Sequence, residues 1–186
     1  YCGVLSAQPP TQTLDHETAF PGAQWFADAR LNFAENCLKG DSDQLAIIEL
    51  LENGRRCELT FAELRQRVAS IRSFLVSQGV GKGDTVAGMM PNISDTVVAM
   101  LATASLGAVW SSCSPDFGTE GALDRFGQIN PVVLFTCDGY YYSGKRFSIG
   151  ARVRQIVDQL PSLKAVVVSD LLGEIDPDLE QGHAFT

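Results

Sequence analysis

Two short stretches hold the side chains best suited to grip a polar ligand. The first is Trp110-Ser-Ser-Cys-Ser-Pro-Asp-Phe-Gly118. Small apolar residues at 107–110 read as a buried strand; a polar turn on Pro115 and Gly118 follows, and a new helix starts at Thr119. In an open α/β sheet, ligands bind at such breaks beyond the carboxyl ends of strands. The serines and Asp116 offer hydrogen-bond partners, while Pro115 fixes a sharp path. A ligand-free alternative is a plain βα turn in which Asp116 or Thr119 caps the next helix. The second stretch is Asp138-Gly-Tyr-Tyr-Tyr-Ser-Gly-Lys-Arg146. Its tyrosines can form a flat, polar-tipped wall, and Lys145 and Arg146 can pair with a phosphate. The alternative here is an exposed loop with solvated charges.

Other motifs carry less. Gly79-Val-Gly-Lys-Gly-Asp84 looks like a phosphate loop, but it follows a helix and precedes a strand. A phosphate cradle needs the reverse order, so that amides at a helix start face the anion. These glycines therefore read as a helix terminator and a tight turn. Asn92-Ile-Ser-Asp95 opens a helix, and capping explains it without a ligand. Cysteines stand at 2, 37, 57, 113 and 137, with no metal or redox spacing, and read as reduced thiols, several of them buried. Cys113 lies in the informative turn, yet the only histidines, His16 and His183, are far along the chain. No carboxylate pair is placed for acid–base work, no metal cluster is visible, and no residue is assigned a catalytic role.

The elements that must position these stretches follow from periodicity and punctuation. Residues 1–24 are rich in Gln, Pro and Thr and read as an extended arm. A helix is expected over 31–38, ended by Lys39-Gly40. Strands at 45–51 and 56–59 flank Asn53-Gly54, a strong hairpin signal. Thr60-Phe-Ala-Glu63 fits a capping box for a helix reaching Gln78. Its apolar stripe is Phe61, Leu64, Val68, Ile71 and Leu75, with Arg65, Arg67 and Arg72 left to solvent. Beyond it, strands at 85–90, 108–112, 132–136 and 165–168 alternate with helices at 96–106, 119–129 and 149–160. Ser94 or Asp95 is the expected cap of the first of these. Alternation with apolar strands implies parallel pairing and right-handed crossovers. The expected fold is thus a layered α/β domain with a mainly parallel sheet and flanking helices.

The 186 residues suit one domain, or one domain plus a short arm, with 45% hydrophobic and 19% charged residues as in an ordinary globular chain. A net charge of −8 disfavours nucleic acid and anionic membranes as partners. No signal peptide or spanning apolar run is read, and a cytoplasmic setting is expected. The first residue is Tyr, and residues 176–186 form no closing element, so the chain reads as a piece of a longer one. Its uncovered sheet edge is expected to promote association when the piece is isolated.

A resemblance rests on several segments together. They are Pro21-Gly-Ala-Gln-Trp-Phe26, Arg30-Leu-Asn-Phe-Ala-Glu-Asn36, Gly81-Lys-Gly-Asp84 with Pro91-Asn92, and the run at 100–112. Ser114-Pro-Asp-Phe-Gly118, Leu123-Asp-Arg-Phe-Gly-Gln-Ile-Asn-Pro131 and Asp138-Gly-Tyr140 complete the set. Over residues 21–169 the chain resembles the acyl-CoA synthetases of the acyl-adenylate-forming superfamily, in the branch that uses acetoacetate. That resemblance implies an arm and cap over 1–40 and an incomplete AMP-binding domain over 41–186, the first part of the large N-terminal domain. It implies a two-step reaction: a carboxylate and ATP give an acyl-adenylate and pyrophosphate, then the thiol of coenzyme A takes the acyl group and AMP leaves. Magnesium would screen the phosphates. The family's lysine-ended phosphate loop and its C-terminal adenylation lysine have no counterpart here, so this piece alone is expected to be inactive. By resemblance, Pro115 and Asp116 lie beside the pantetheine tunnel, and Lys145, with Arg146 next to it, meets the nucleotide's phosphate. A second family arginine falls on Tyr142. Rival readings are a non-catalytic module that binds coenzyme A or a partner subunit, and a piece of an acetyl- or propionyl-CoA synthetase.

Overall fold

A computed structural model describes residues 3–175. Cys2 and the polar stretch 176–186 lie outside the described residues. The arm is not simply extended. Its β1 (Leu14–Asp15) and β2 (Gln24–Trp25) pair antiparallel. The cap helix α1 is shorter than the periodicity predicts, Phe33–Cys37, because Asn32 closes its amino end by accepting from the Glu35 amide. Leu31 thereby stays outside the helix and is 54% exposed.

The hairpin appears where Asn53-Gly54 places it, with β3 (Leu45–Leu50) against β4 (Arg56–Thr60) and Gly54 at φ 84°. Helix α2 (Phe61–Ser77) starts on the expected capping box: Thr60 accepts from the Glu63 amide and Glu63 accepts from the Thr60 amide. Its stripe is buried at Leu64, Val68, Ile71 and Leu75, joined by Phe74. Arg65 and Arg67 are not left to solvent, however. Arg65 donates to the Leu38 and Gly40 carbonyls, and Arg67 pairs with Asp95.

The body is a four-stranded parallel sheet in the order β10-β7-β5-β6. These strands are β5 (Thr85–Met89), β6 (Val109–Cys113), β7 (Val133–Cys137) and β10 (Ala165–Ser169). Helices α3 (Ser94–Ser105), α4 (Thr119–Gly127) and α5 (Gly150–Val157) cross between them. From β5 the chain moves to β6 on one side, then returns past β5 to β7 on the other. Right-handed crossovers in opposite directions require helices on opposite faces. The core shows this: α2 and α3 pack with Val86, Val133 and Phe135, whereas α4 and α5 pack with Ala87, Met89 and Leu134.

The stretch ending at Trp110 is not a buried strand. Among the described residues β6 lies at the sheet edge, with Val109 52% exposed, Trp110 and Ser111 half-buried, Ser112 exposed and only Cys113 buried. Trp110 lies over Gly88, where a Cβ would come within 2.5 Å of the indole, and reaches Phe135 with ring centroids 5.9 Å apart. The residues β7 and β10 contribute are all buried, as the apolar runs demand.

Candidate functional site

The ladder register brings the carboxyl ends of all four strands to one rim: Met89 faces Cys113 and Thr136, and Cys137 faces Ser169. The connection from β5 leaves over one face and those from β6 and β7 over the other, so this rim is a topological switch point. Both stretches singled out in the sequence emerge from it.

The turn after β6 is held by groups from a distant helix. The Arg152 guanidinium of α5 donates to the Pro115 carbonyl at 2.8 Å and the Phe117 carbonyl at 3.1 Å. The Thr119 hydroxyl bonds Gln155 at 3.0 Å, and Arg125 stands 4.5 Å from the Phe117 ring centroid. Pro115 is buried and Asp116 is exposed. Neither Asp116 nor Thr119 caps α4; the cap is Gly118, with no side-chain hydrogen bond. Asp116 thus projects outward from a clamped backbone. Burial, with Arg125 opposing and Asp116 adding to it, pushes the thiol of Cys113 at the base of the turn up to about 11, which disfavours the thiolate.

The tyrosine-rich stretch is a hairpin rather than a loop. β8 (Gly139–Tyr142) and β9 (Lys145–Ser148) pair antiparallel around Ser143 and Gly144, at φ 51° and 71°. Two consecutive positive φ values make the tight turn whose twist matches flanking strands. Tyr140 stacks on Phe147 with centroids 5.3 Å apart. The basic pair separates in role. Arg146 donates to the Leu172 carbonyl at 2.7 Å and to Glu174 at 2.8 Å. The Lys145 side chain is exposed and has no hydrogen-bond or ion-pair partner among the described residues. Tyr142 beside the turn is 65% exposed. The tip touches the other hairpin where the Gly144 amide donates to Glu52 at 3.3 Å.

The hairpin is rooted by Asp138, to which the sequence analysis gives no role of its own. Only 2% exposed, its carboxylate accepts from the amides of Leu171, Leu172 and Glu174 at 2.9–3.1 Å. Its carbonyl receives the Ile149 amide that opens α5. Next to it, a Cβ on Gly139 would lie 2.4 Å from the Phe147 carbonyl oxygen and 2.2 Å from Leu172.

The remaining motifs are structural. The loop at 79–84 lies at the opposite, amino end of β5, where Asp84 accepts from the Gly81 amide at 2.8 Å. The start of α3 is capped by neither Ser94 nor Asp95. Buried Glu49 of β3 accepts from the Ser94 amide at 2.6 Å, supplying the negative charge that a helix start favours. A cavity of about 120 Å³ beside it is lined by Arg55, Arg67, Asp95 and Asp170, and its charges are largely paired with one another. Among the described residues, no three His, Cys, Asp or Glu side chains gather as a metal site. No helix there is long and apolar enough to cross a membrane.

Residues 33–184 match the protein family described as AMP-binding enzyme. The chain belongs to the AMP-binding enzyme family. Its relatives include the acetoacetyl-coenzyme A synthetase of Rhizobium meliloti (strain 1021), 49% identical over 90% of this chain and 26% of that protein. A malonamoyl-CoA synthetase of Penicillium aethiopicum is 40% identical over 96% of this chain and 26% of its own length. The solved acetoacetyl-CoA synthetase from Streptomyces lividans superposes with a TM-score of 0.90 at 43% identity, over 99% of this chain and 28% of that one. The chain spans about a quarter of the length of the curated relatives it matches. The AMP-binding enzyme fold so shared is the layered α/β arrangement the strand–helix alternation predicts.

Proposed function

We propose that this chain is the N-terminal part of an ATP-dependent acid–thiol ligase that converts acetoacetate, ATP and coenzyme A to acetoacetyl-CoA, AMP and pyrophosphate. Residues 1–40 form its arm and cap, and residues 41–186 begin its AMP-binding domain. The observation that carries this reading is the 0.90 TM-score, at 43% identity over 99% of the chain, to an acetoacetyl-CoA synthetase. We infer a cytoplasmic setting from the free thiols of Cys37, Cys57, Cys113 and Cys137.

The part assigned to these residues is one wall for coenzyme A. Bound coenzyme A would supply the thiol that takes the acyl group. Lys145 suits its phosphate, being an exposed cation with no carboxylate partner among the described residues. Arg146, held by Glu174, contributes through the hairpin's position. The exposed side chain of Asp116, on a backbone fixed by Pro115, offers acceptors to the amides of the pantetheine arm. ATP and magnesium belong to the reaction of the complete enzyme. No residue here is assigned to magnesium, since no acidic cluster gathers among the described residues.

Calorimetric titration of this chain tests the reading. Coenzyme A is expected to bind. K145A should weaken it roughly tenfold, the scale of one charge-assisted phosphate contact. No heat at millimolar coenzyme A, or a neutral K145A, refutes the assignment. A related acid in place of acetoacetate is the second reading, favoured by the 40% identity to a malonamoyl-CoA synthetase. A panel of acetoacetate, malonamate, acetate and propionate on the longer polypeptide separates the two.

A further inference from the structure

The two segments read as coenzyme A contacts are far apart in sequence, and among the described residues no side-chain hydrogen bond links them directly. What joins them is α5. The helix begins directly after β9, and its first turn is tied to the hairpin's root by the bond from the Ile149 amide to the Asp138 carbonyl at 3.0 Å. Barely one helical turn later, Arg152 reaches the Pro115 and Phe117 carbonyls on either side of Asp116. Both bonds come from one nitrogen, Nη1, whose two hydrogens lie in the rigid guanidinium plane, so together they fix the direction of approach as well as its distance. Gln155 adds the bond to Thr119 where α4 starts. Arg152 is half-buried and has no carboxylate partner among the described residues, so its hydrogen bonds are directed at this turn.

We propose that Arg152 is a positioning residue for the thiol substrate: by clamping the Ser114–Gly118 turn to the helix that grows out of the β8–β9 hairpin, it sets the spacing between the two segments. The proposal rests on the functional reading above. Arg152 touches no substrate. Its loss frees the Asp116 backbone relative to Lys145, which weakens the ligand that must meet both. The acid- and ATP-dependent half-reaction, in which coenzyme A takes no part, is left nearly unchanged.

The test uses the longer polypeptide that carries this chain, with R152A, R152K and K145A variants. Acid-dependent exchange of pyrophosphate into ATP reports the first half-reaction, and the KM for coenzyme A in the complete reaction reports the second. R152A is expected to raise the KM for coenzyme A roughly tenfold while exchange stays within about twofold. R152K keeps a cation with several donors on one nitrogen but loses the planar guanidinium, and should recover part of the loss. Exchange and overall rate falling together in R152A would mark Arg152 as merely structural and overturn the proposal, as would an unmoved KM. Should R152A fail to accumulate as folded protein, R152K decides, with a smaller rise expected. A normal KM in K145A removes the hairpin contact and overturns the spacing argument with it. No thiol-dependent product from the unaltered polypeptide sinks the functional reading itself, a failure distinct from that of Arg152.

Discussion

Replacing Asp138 by asparagine keeps shape and volume, yet the structure predicts a cost close to that of alanine. Both carboxylate oxygens are acceptors: Oδ1 for Leu171 and Leu172, Oδ2 for Leu172 and Glu174. An amide group must turn its NH2 toward one of these donor pairs, and flipping it only moves the conflict to the other pair. Hydrogen bonds to a charged group contribute about 1.5–3 kcal/mol each. Because Gly173 and Glu174 are exposed, the freed segment can take up water, which brings the cost below that range to roughly 1 kcal/mol per amide, the value of an ordinary hydrogen bond. Three amides give about 3 kcal/mol for Asp138→Ala and nearly as much for Asp138→Asn. In urea, a slope of about 2 kcal/mol per molar moves the unfolding midpoint down by roughly 1.5 M. Circular dichroism across a urea series, with hydrogen exchange at Leu171, Leu172 and Glu174, makes the comparison. An asparagine variant within about 0.5 kcal/mol of the parent would refute the claim that both oxygens are committed acceptors.

Gly139→Ala should lower stability by about 3 kcal/mol, since the new methyl meets the Phe147 carbonyl, which cannot swing aside; thermal unfolding of the variant checks this. Thr60→Ala should cost about 1 kcal/mol by opening the capping box, and a Thr60→Ser variant should restore most of it in the same melt. At pH 8 an alkylating reagent should label exposed Cys37 while Cys113 and Cys137 resist, as peptide mapping would show; simultaneous labelling would mean that the thiols at the strand ends are accessible. Burial raises those two thiols, to about 11 and about 12, above their unfolded values. Their contribution to stability is therefore complete below the ordinary thiol value near 9 and disappears as pH rises through 11 and 12. A Cys113→Ala Cys137→Ala chain should show a shallower alkaline decline in urea titrations.

Features with local causes were legible in the sequence. The Asn53-Gly54 turn, the Thr60–Glu63 box and the stripe of α2 each depend on residues a few places apart. Features made by distant pairs were not. The cap of α3 comes from Glu49, the hold on the Pro115 turn from Arg152, and the anchor of residues 171–174 from Asp138. None has a spacing signature, because the fold alone brings the partners together. Trp110 misled for the same reason: small apolar neighbours imply burial, but the position of β6 in the sheet decides how much. The hairpin at 139–148 was hidden by tyrosines and cations that also suit a loop. Its signal was Ser143-Gly144, a pair that tolerates positive φ.

The strand order also shapes how the chain assembles. β5 can join β6 by closing a short segment containing α3, whereas its bond to β7 must span α3, β6 and α4 together. Loop closure grows costlier with length, so the first pairing should form before the second. The β5–β6 pair would then be a template whose open flank waits for β7, and the last strand to arrive, β10, would bring with it the amides that close around Asp138.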